Sequence, residues 1–321
     1  FRFGVYRPGK LGIGHPDPME NHTRNWMRLS VGALFSIYSK DHPEYLFEAL
    51  WSALRGQSSP LDACIGVIEG EIGAELERVV SEFHEVTWIR IPRTKNPTGF
   101  GLPEALNRGL QSLKTDIVLK LDTDDLNHED RVAITLEMFS ATPELVLFGG
   151  QIQEWDPSFT RCFGRRTVPT SHPQILEFAQ SRNPFNGPSV AFQRVRVLSL
   201  GGYPLVGANE DYALWASIMA SGHVTANHAE DLVFMRGGED LVARRSTQRY
   251  RRGEEEALKF IYRTGLWSFS RFALHWLTKQ LIRRLPDSWN RYIYRNLRQT
   301  IPAQVPLIYE KAHSAWNTFQ L

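Results

Sequence analysis

Three carboxylates crowd the segment "DIVLKLDTDDLNHED", which runs from Asp116 to Asp130. Asp122, Asp124 and Asp125 fall directly after "IVLKL", an apolar, branched run that reads as a buried strand. Like charges this close repel, and burying one without a partner is costly. A positive group is therefore expected beside them. On an extended segment Asp122 and Asp124 share a face, roughly 7 Å apart along the chain. Oxygen-only ligation by two carboxylates, completed by water and phosphate, suits Mn²⁺ or Mg²⁺. The same letters also describe a polar loop with a cap for a helix beginning near His128, and spacing alone leaves both readings open.

A second acidic pair, Glu210 and Asp211 in "NEDYALW", stands at a predicted helix start. There Asn209 can cap and acidic residues complement the helix dipole, or one carboxylate serves as a general base. Arg236, Arg244 and Arg245 flank "GGEDLVA". A Gly-containing loop with arginines either closes over an anionic diphosphate or forms a solvated basic surface. "RNPFNGPSV" reads as a loop shaped by its prolines, with Asn186 a candidate acceptor contact. His128, His172 and His228 read as ordinary polar positions.

The elements that must hold these groups alternate from Leu29 onward. "VGALFSIY", "DACIGVIEG", "VTWIRIP", "DIVLKL" and "ELVLFGG" are predicted strands. Between them lie amphipathic helices, as in "PEYLFEALWSALRG", where Leu46, Phe47, Leu50, Trp51 and Leu54 share a face. This order implies an α/β fold with a mostly parallel central sheet and right-handed crossovers. Ligands gather at the carboxyl ends of such strands. Ser36–Tyr38, Glu69–Gly70 and Asp122–Asp125 are all predicted there. Beyond Trp155 shorter strands and helices replace the clean alternation, and helices dominate from Glu254.

Composition is that of a globular protein: 42% hydrophobic, 22% charged, formal net charge +2. It makes no case for nucleic-acid binding. Between Arg244 and Arg298, 14 Lys and Arg face only four carboxylates, which leaves an acidic body and a basic tail. Cys64 and Cys162 have no metal-ligand spacing and fit a reducing cytoplasm. No apolar run reaches the ~18–20 residues that span a bilayer. The tail mixes Trp267, Phe269, Phe272, Trp276 and Leu277 with Arg271, Lys279, Arg283 and Arg284. Such a composition fits an amphipathic helix on an anionic membrane, and equally one that covers the sheet's open edge.

Taken in order, "FSIYSKDHPEYLFEALWSALRGQ", "VIEGEIGAELERVVSEF", "ALNRGL", "LDTDD", "RNPFNGPSVAF", "GGYP" and "NEDYALWASIMASG" resemble the family-2 glycosyltransferases of the GT-A fold. The resemblance runs from about Leu29 to Arg298, and within the family to the bacterial exopolysaccharide and O-antigen group typified by amylovoran enzymes. It implies a Rossmann-like sheet, a nucleotide-diphosphate sugar donor (usually a UDP-sugar), inverting transfer, and a saccharide or lipid-linked saccharide acceptor. It places Ser36 and Tyr38 in the nucleotide pocket and Glu69 against the base, where the family usually has Asp. Asn107 is expected near the donor, Asp122 near the ribose or sugar and the metal, and Asp124 on the metal. Asp211, ahead of Glu210, becomes the catalytic base, and Arg244 and Arg245 become donor contacts. Residues 1–27 are expected to be a poorly ordered extension. A catalytic domain over 28–252 follows, its nucleotide half ending near 125, and then a helical extension over 253–321. The implied place is the cytoplasm, at the inner face of the membrane. Rival readings are a sugar-nucleotide pyrophosphorylase, for which "SIYSKDHPEYL" lacks the Gly-rich basic signature, a two-carboxylate glycoside hydrolase, and a non-catalytic scaffold.

Overall fold

The computed structural model describes residues 28–93, 101–237, 247–282 and 303–321. The expected N-terminal extension and the residues Arg244 and Arg245 lie outside the described residues. Strand β1 (Val31–Tyr38) leads to helix α1 (Pro43–Leu50), which starts on a proline, and runs on through a π-turn, Trp51–Arg55. Then follow β2 (Ala63–Glu69), α2 (Ala74–Glu82), β3 (Thr87–Ile91), α3 (Gly101–Ser112) and β4 (Ile117–Lys120). The second half contains β5 (Leu126–Asn127), α4 (Arg131–Ala141), β6 (Leu145–Trp155), β7 (Cys162–Arg166) and α5 (His172–Phe178). It continues with β8 (Ala191–Gln193), α6 (Arg194–Ser199), α7 (Glu210–Ala220) and β9 (Val224–Arg236). Three further helices are described, α8 (Gln248–Arg263), α9 (Phe269–Ile282) and α10 (Leu307–Gln320).

One sheet carries the order β3-β2-β1-β4-β8-β6-β9-β5, with β7 on β6. The first four strands pair in parallel, as strand–helix alternation requires. Strand β8 enters antiparallel between β4 and β6, so β6 and β9 again run with the first four. The expected mostly parallel α/β sheet is the one observed, with β5, β7 and β8 reversed. Side chains alternate across it. On β1, Phe35 and Ile37 face the core beneath α1, α2 and α4, while Leu34 faces the core formed with α3, Tyr203 and Trp215.

The boundary expected at 252/253 falls inside α8. Gly253 lies against the backbone of Gly207 and Ala208 with no room for a Cβ, and Glu256 Oε2 accepts from the Gly207 N–H (3.2 Å). Helix α10 returns to α1, where Phe319 stacks on Phe47 at 5.0 Å and Trp316 lies 5.4 Å from the same ring. Helix α9 is anchored at its start by Trp267, whose Nε1 donates to the Ala179 carbonyl (2.7 Å) and whose ring stacks on His275. Its opposite side presents Phe269, Leu274, Trp276, Leu277 and Leu281, all 41% or more exposed. No helix of the described residues is long and apolar enough to cross a membrane.

Candidate functional site

The carboxyl ends of β1, β2 and β4 open on a cleft of about 690 Å³. Tyr38 and Glu69 are register partners at the ends of β1 and β2. Ser36 Oγ donates to Glu69 Oε1 (3.3 Å), and the Arg93 guanidinium sits over the Tyr38 ring at 5.2 Å. Burial pushes the Glu69 carboxyl above its ordinary value, while Ser36 and Arg93 pull it back. Gly101, opening α3, lets Glu69 approach: a Cβ there would stand 2.7 Å from Oε2. Ser36, Tyr38 and Glu69 thus form one wall, as their strand-end positions predict.

The acidic tip after β4 forms the floor, and the positive groups beside it come from the protein itself. The Lys120 ammonium, buried at the end of β4, is ion-paired with Asp122. Burial alone would lower its pKa, but Asp122, Asp211 and Glu210 outweigh this and push it up to about 12. Asp125 is buried and accepts from the Arg236 backbone N–H (2.8 Å); burial first, then Asp124 and Asp122, holds its carboxyl well above the ordinary range. Arg236 itself corrects the sequence reading. It is not a surface or loop group: its guanidinium is ion-paired with buried Glu48, donates to the carbonyls of Asp124 (2.6 Å) and Pro157 (3.1 Å), and stacks on Tyr45 and Phe159. Its hydrogen bonds and ring contacts lock it behind the tip.

Asp41, which sequence reasoning missed, faces the same floor. Its Oδ2 accepts from the Tyr38 N–H (2.7 Å) and its Oδ1 from Thr123 (3.4 Å). Burial, with Asp124 and Glu69 adding to it, raises its pKa to about 6 against these hydrogen bonds. Asp41, Asp122 and Asp124 therefore bring three carboxylates to one floor of the cleft, with Lys120 paired to Asp122. The donor set fits a hard divalent cation: carboxylate oxygens only, on a cleft open to water and to a phosphate-bearing ligand. Asp124 and Asp122 would hold it, although one Asp122 oxygen is already committed to Lys120.

Across the cleft stand Glu210 and Asp211, the first residues of α7. Asn209 does not cap them. It adopts the left-handed conformation (φ 56°), and its Oδ1 accepts from the Tyr250 hydroxyl (3.1 Å). Burial and the neighbouring Asp211 raise Glu210 to about 7, with Lys120 opposing. The folded protein holds this proton more tightly than the unfolded chain, so stability falls as pH rises from 4.5 towards 7. Glu210→Gln is expected to gain thermal stability relative to the wild type between about pH 5 and about pH 8, measured as the difference in Tm. Gly187 gives Asp211 its room, since a Cβ there would stand 2.5 Å from Oδ2.

Two candidates have other tasks. Asn107 does not line the cleft: its amide donates to the Tyr203 carbonyl (2.8 Å) and accepts from the Tyr203 N–H (2.7 Å), clamping α3 to the "GGYP" turn. Asn186 is fully buried and donates to the carbonyls of Gly150 (2.9 Å) and Arg166 (3.1 Å), so it ties its loop to β6 and β7. Conversely, Arg249 and Tyr250, read in sequence only as part of a basic tail, line the cleft from the start of α8. Only the aromatic placed among arginines hinted at this.

A model of the family Glycosyl transferase family 2 matches residues 36–199. The chain is 32% identical over 267 residues to the Escherichia coli UDP-Gal:alpha-D-GlcNAc-diphosphoundecaprenol beta-1,3-galactosyltransferase, covering 82% of this chain and 94% of that one. It is 31% identical to the Erwinia amylovora amylovoran biosynthesis glycosyltransferase AmsE, covering 83% of this chain and 98% of the relative. The fold matches the mannosyltransferase PcManGT from Pyrobaculum calidifontis, solved with GDP-Man and Mn²⁺, with a TM-score of 0.51 and 16% identity, over 97% of this chain and 91% of that one.

Proposed function

The chain belongs to glycosyltransferase family 2, and from that premise we propose that it transfers a sugar, with inversion, from a nucleotide-diphosphate sugar to a saccharide or lipid-linked saccharide. The observation that carries this is the placing of Asp211 in the same cleft as the acidic tip and the Ser36–Tyr38–Glu69 wall. A UDP-sugar is the favoured donor, because the Escherichia coli relative carries UDP-Gal in its name.

Inverting transfer is one in-line displacement. The acceptor hydroxyl attacks the anomeric carbon, its proton passes to a carboxylate, and the nucleotide diphosphate leaves from the opposite face. Asp211 takes the proton. Asp124 and Asp122 would hold Mn²⁺ or Mg²⁺, which would supply positive charge against the diphosphate. Lys120 holds Asp122 in place and balances the field of Glu210 and Asp211. Ser36, Tyr38 and Glu69 receive the nucleoside. Arg244 and Arg245 complete the donor side, and the outward apolar row of α9, followed in sequence by Arg283 and Arg284, meets the anionic membrane face that carries a lipid-linked acceptor. Flotation with anionic liposomes tests this last part; wild-type protein that stays with the soluble fraction refutes it.

The test of the central reading is a hydrolysis screen of UDP- and GDP-sugars with Mn²⁺ or Mg²⁺, with and without chelator. Turnover of one donor, lost on chelation, is expected. Absence of turnover with every donor, or turnover indifferent to chelator, counts against it. Gly187→Ala supplies a second check. The new methyl forces the Asp211 carboxylate aside, and a misplacement of this kind costs about 10²-fold in kcat. UDP affinity, titrated by calorimetry, is expected to stay at the wild-type value.

A further inference from the structure

Helix α10 lies behind the cleft, out of contact with any group assigned above to donor or acceptor. Its buried-facing side nevertheless reaches the acidic tip by two routes. His313 Nδ1 lies 2.8 Å from Oε1 of buried Glu48, with Glu44 Oε1 at 3.4 Å. The other Glu48 oxygen pairs with Arg236, whose guanidinium and backbone N–H hold the Asp124 carbonyl and the Asp125 carboxyl respectively. One turn earlier on the helix, Ile308 packs into the cluster of Leu126, Trp155, Phe159 and Phe234, and Leu126 is the residue that follows Asp125. Tyr309 stacks on Phe159 at 4.6 Å, the same ring that lies against Arg236. Two of the groups that fix Arg236, Glu48 and Phe159, are therefore shared with α10.

We propose that α10 is a positioning element of the metal seat, acting through His313, Glu48 and Arg236 on the backbone and side chains of Asp124 and Asp125. The proposal rests on the glycosyltransferase reading for the identity of the seat. His313 on one Glu48 oxygen and Arg236 on the other fix the plane of the carboxylate between them. Without His313 the Glu48 carboxylate is held on one side only, by Arg236, and the guanidinium against the Asp124 carbonyl is less tightly oriented. Groups that orient metal ligands from behind are worth about 10- to 100-fold in metal affinity, and His313, one step further removed, belongs at the lower end of that range.

Glu44, Glu48 and His313 also form a group of three metal-ligating side chains within 4.8 Å of one another. The experiment must therefore report on the seat and not on this group. Paramagnetic broadening of the ³¹P resonances of UDP by Mn²⁺, taken as the excess over the same titration without protein, does so, since that excess requires the ion beside a protein-bound diphosphate. In full-length protein, His313→Ala and Glu48→Gln are expected to raise the Mn²⁺ concentration for half-maximal broadening about tenfold. UDP affinity without metal is expected to be unchanged. The unfolding midpoint of His313→Ala is expected to fall, since buried Glu48 loses a hydrogen-bond partner, so the broadening is read well below that midpoint. Lys311→Ala, on the same helix in an exposed pair with Glu129, is expected to behave as wild type. Wild-type broadening in His313→Ala overturns the proposal, including where Glu48→Gln fails to fold. Broadening absent from the wild type itself overturns the metal reading together with this one, which separates the two failures.

Discussion

Asp211→Asn is expected to lower transfer by roughly 10²–10⁴-fold, the usual contribution of a positioned general base. The amide keeps the size and the hydrogen-bonding reach of the carboxylate but takes up no proton. UDP titration should give the wild-type affinity, because Asp211 stands across the cleft from the Ser36–Tyr38–Glu69 wall. Single-turnover transfer with the donor found in the screen measures the loss. Glu210→Gln supplies the control. Removal of the Glu210 carboxylate is expected to cost less, since Asp211 is the residue we propose takes the acceptor's proton. The reverse order of the two losses would move the base to Glu210.

Arg236→Met is expected to destabilise the protein by about 3–5 kcal/mol, because it leaves Glu48 buried without its charged partner. Equilibrium urea unfolding measures this. A surface arginine would change stability by only about 0.5 kcal/mol in either direction, so the experiment separates the buried role from a loop role directly. Lysine is a poor replacement, since a single ammonium cannot reproduce the planar contacts to Tyr45 and Phe159 together with the two carbonyl bonds. Adding Glu48→Gln to Arg236→Met is expected to recover part of the loss, as removing both partners of a buried pair is cheaper than removing one.

The parallel half of the sheet was legible in the sequence because its strands are short apolar runs separated by amphipathic helices, a pattern written locally. The strand-end positions of Ser36, Tyr38, Glu69, Asp122 and Asp124 followed from that order. What the sequence hid are pairings between distant positions. Arg236 sits beside a Gly-containing segment and so reads as a loop arginine, yet its partner Glu48 is 188 residues away. Asn107 lies in a segment typical of a donor contact, but Tyr203, 96 residues on, takes both ends of its amide. Lys120 was visible as a single charge inside "IVLKL". Its partner Asp122 is only two residues on, but nothing local says that two more carboxylates lie across the cleft. Asp41 reads as one polar residue in "SKDHPEYL", and only the fold turns it toward Asp124.

The close seating of Gly253 on Gly207 and Ala208 bears on how the protein is made. Asp211, Arg249, Tyr250 and His313 all come after residue 199, where the family match ends. A nascent chain can complete the Ser36–Tyr38–Glu69 wall early in translation, yet it completes the opposite wall, with Arg249 and Tyr250, only when the segment around Gly253 leaves the ribosome. Termination between residues 199 and 209 would yield a product that keeps Ser36, Tyr38, Glu69 and the acidic tip and lacks the wall that faces them.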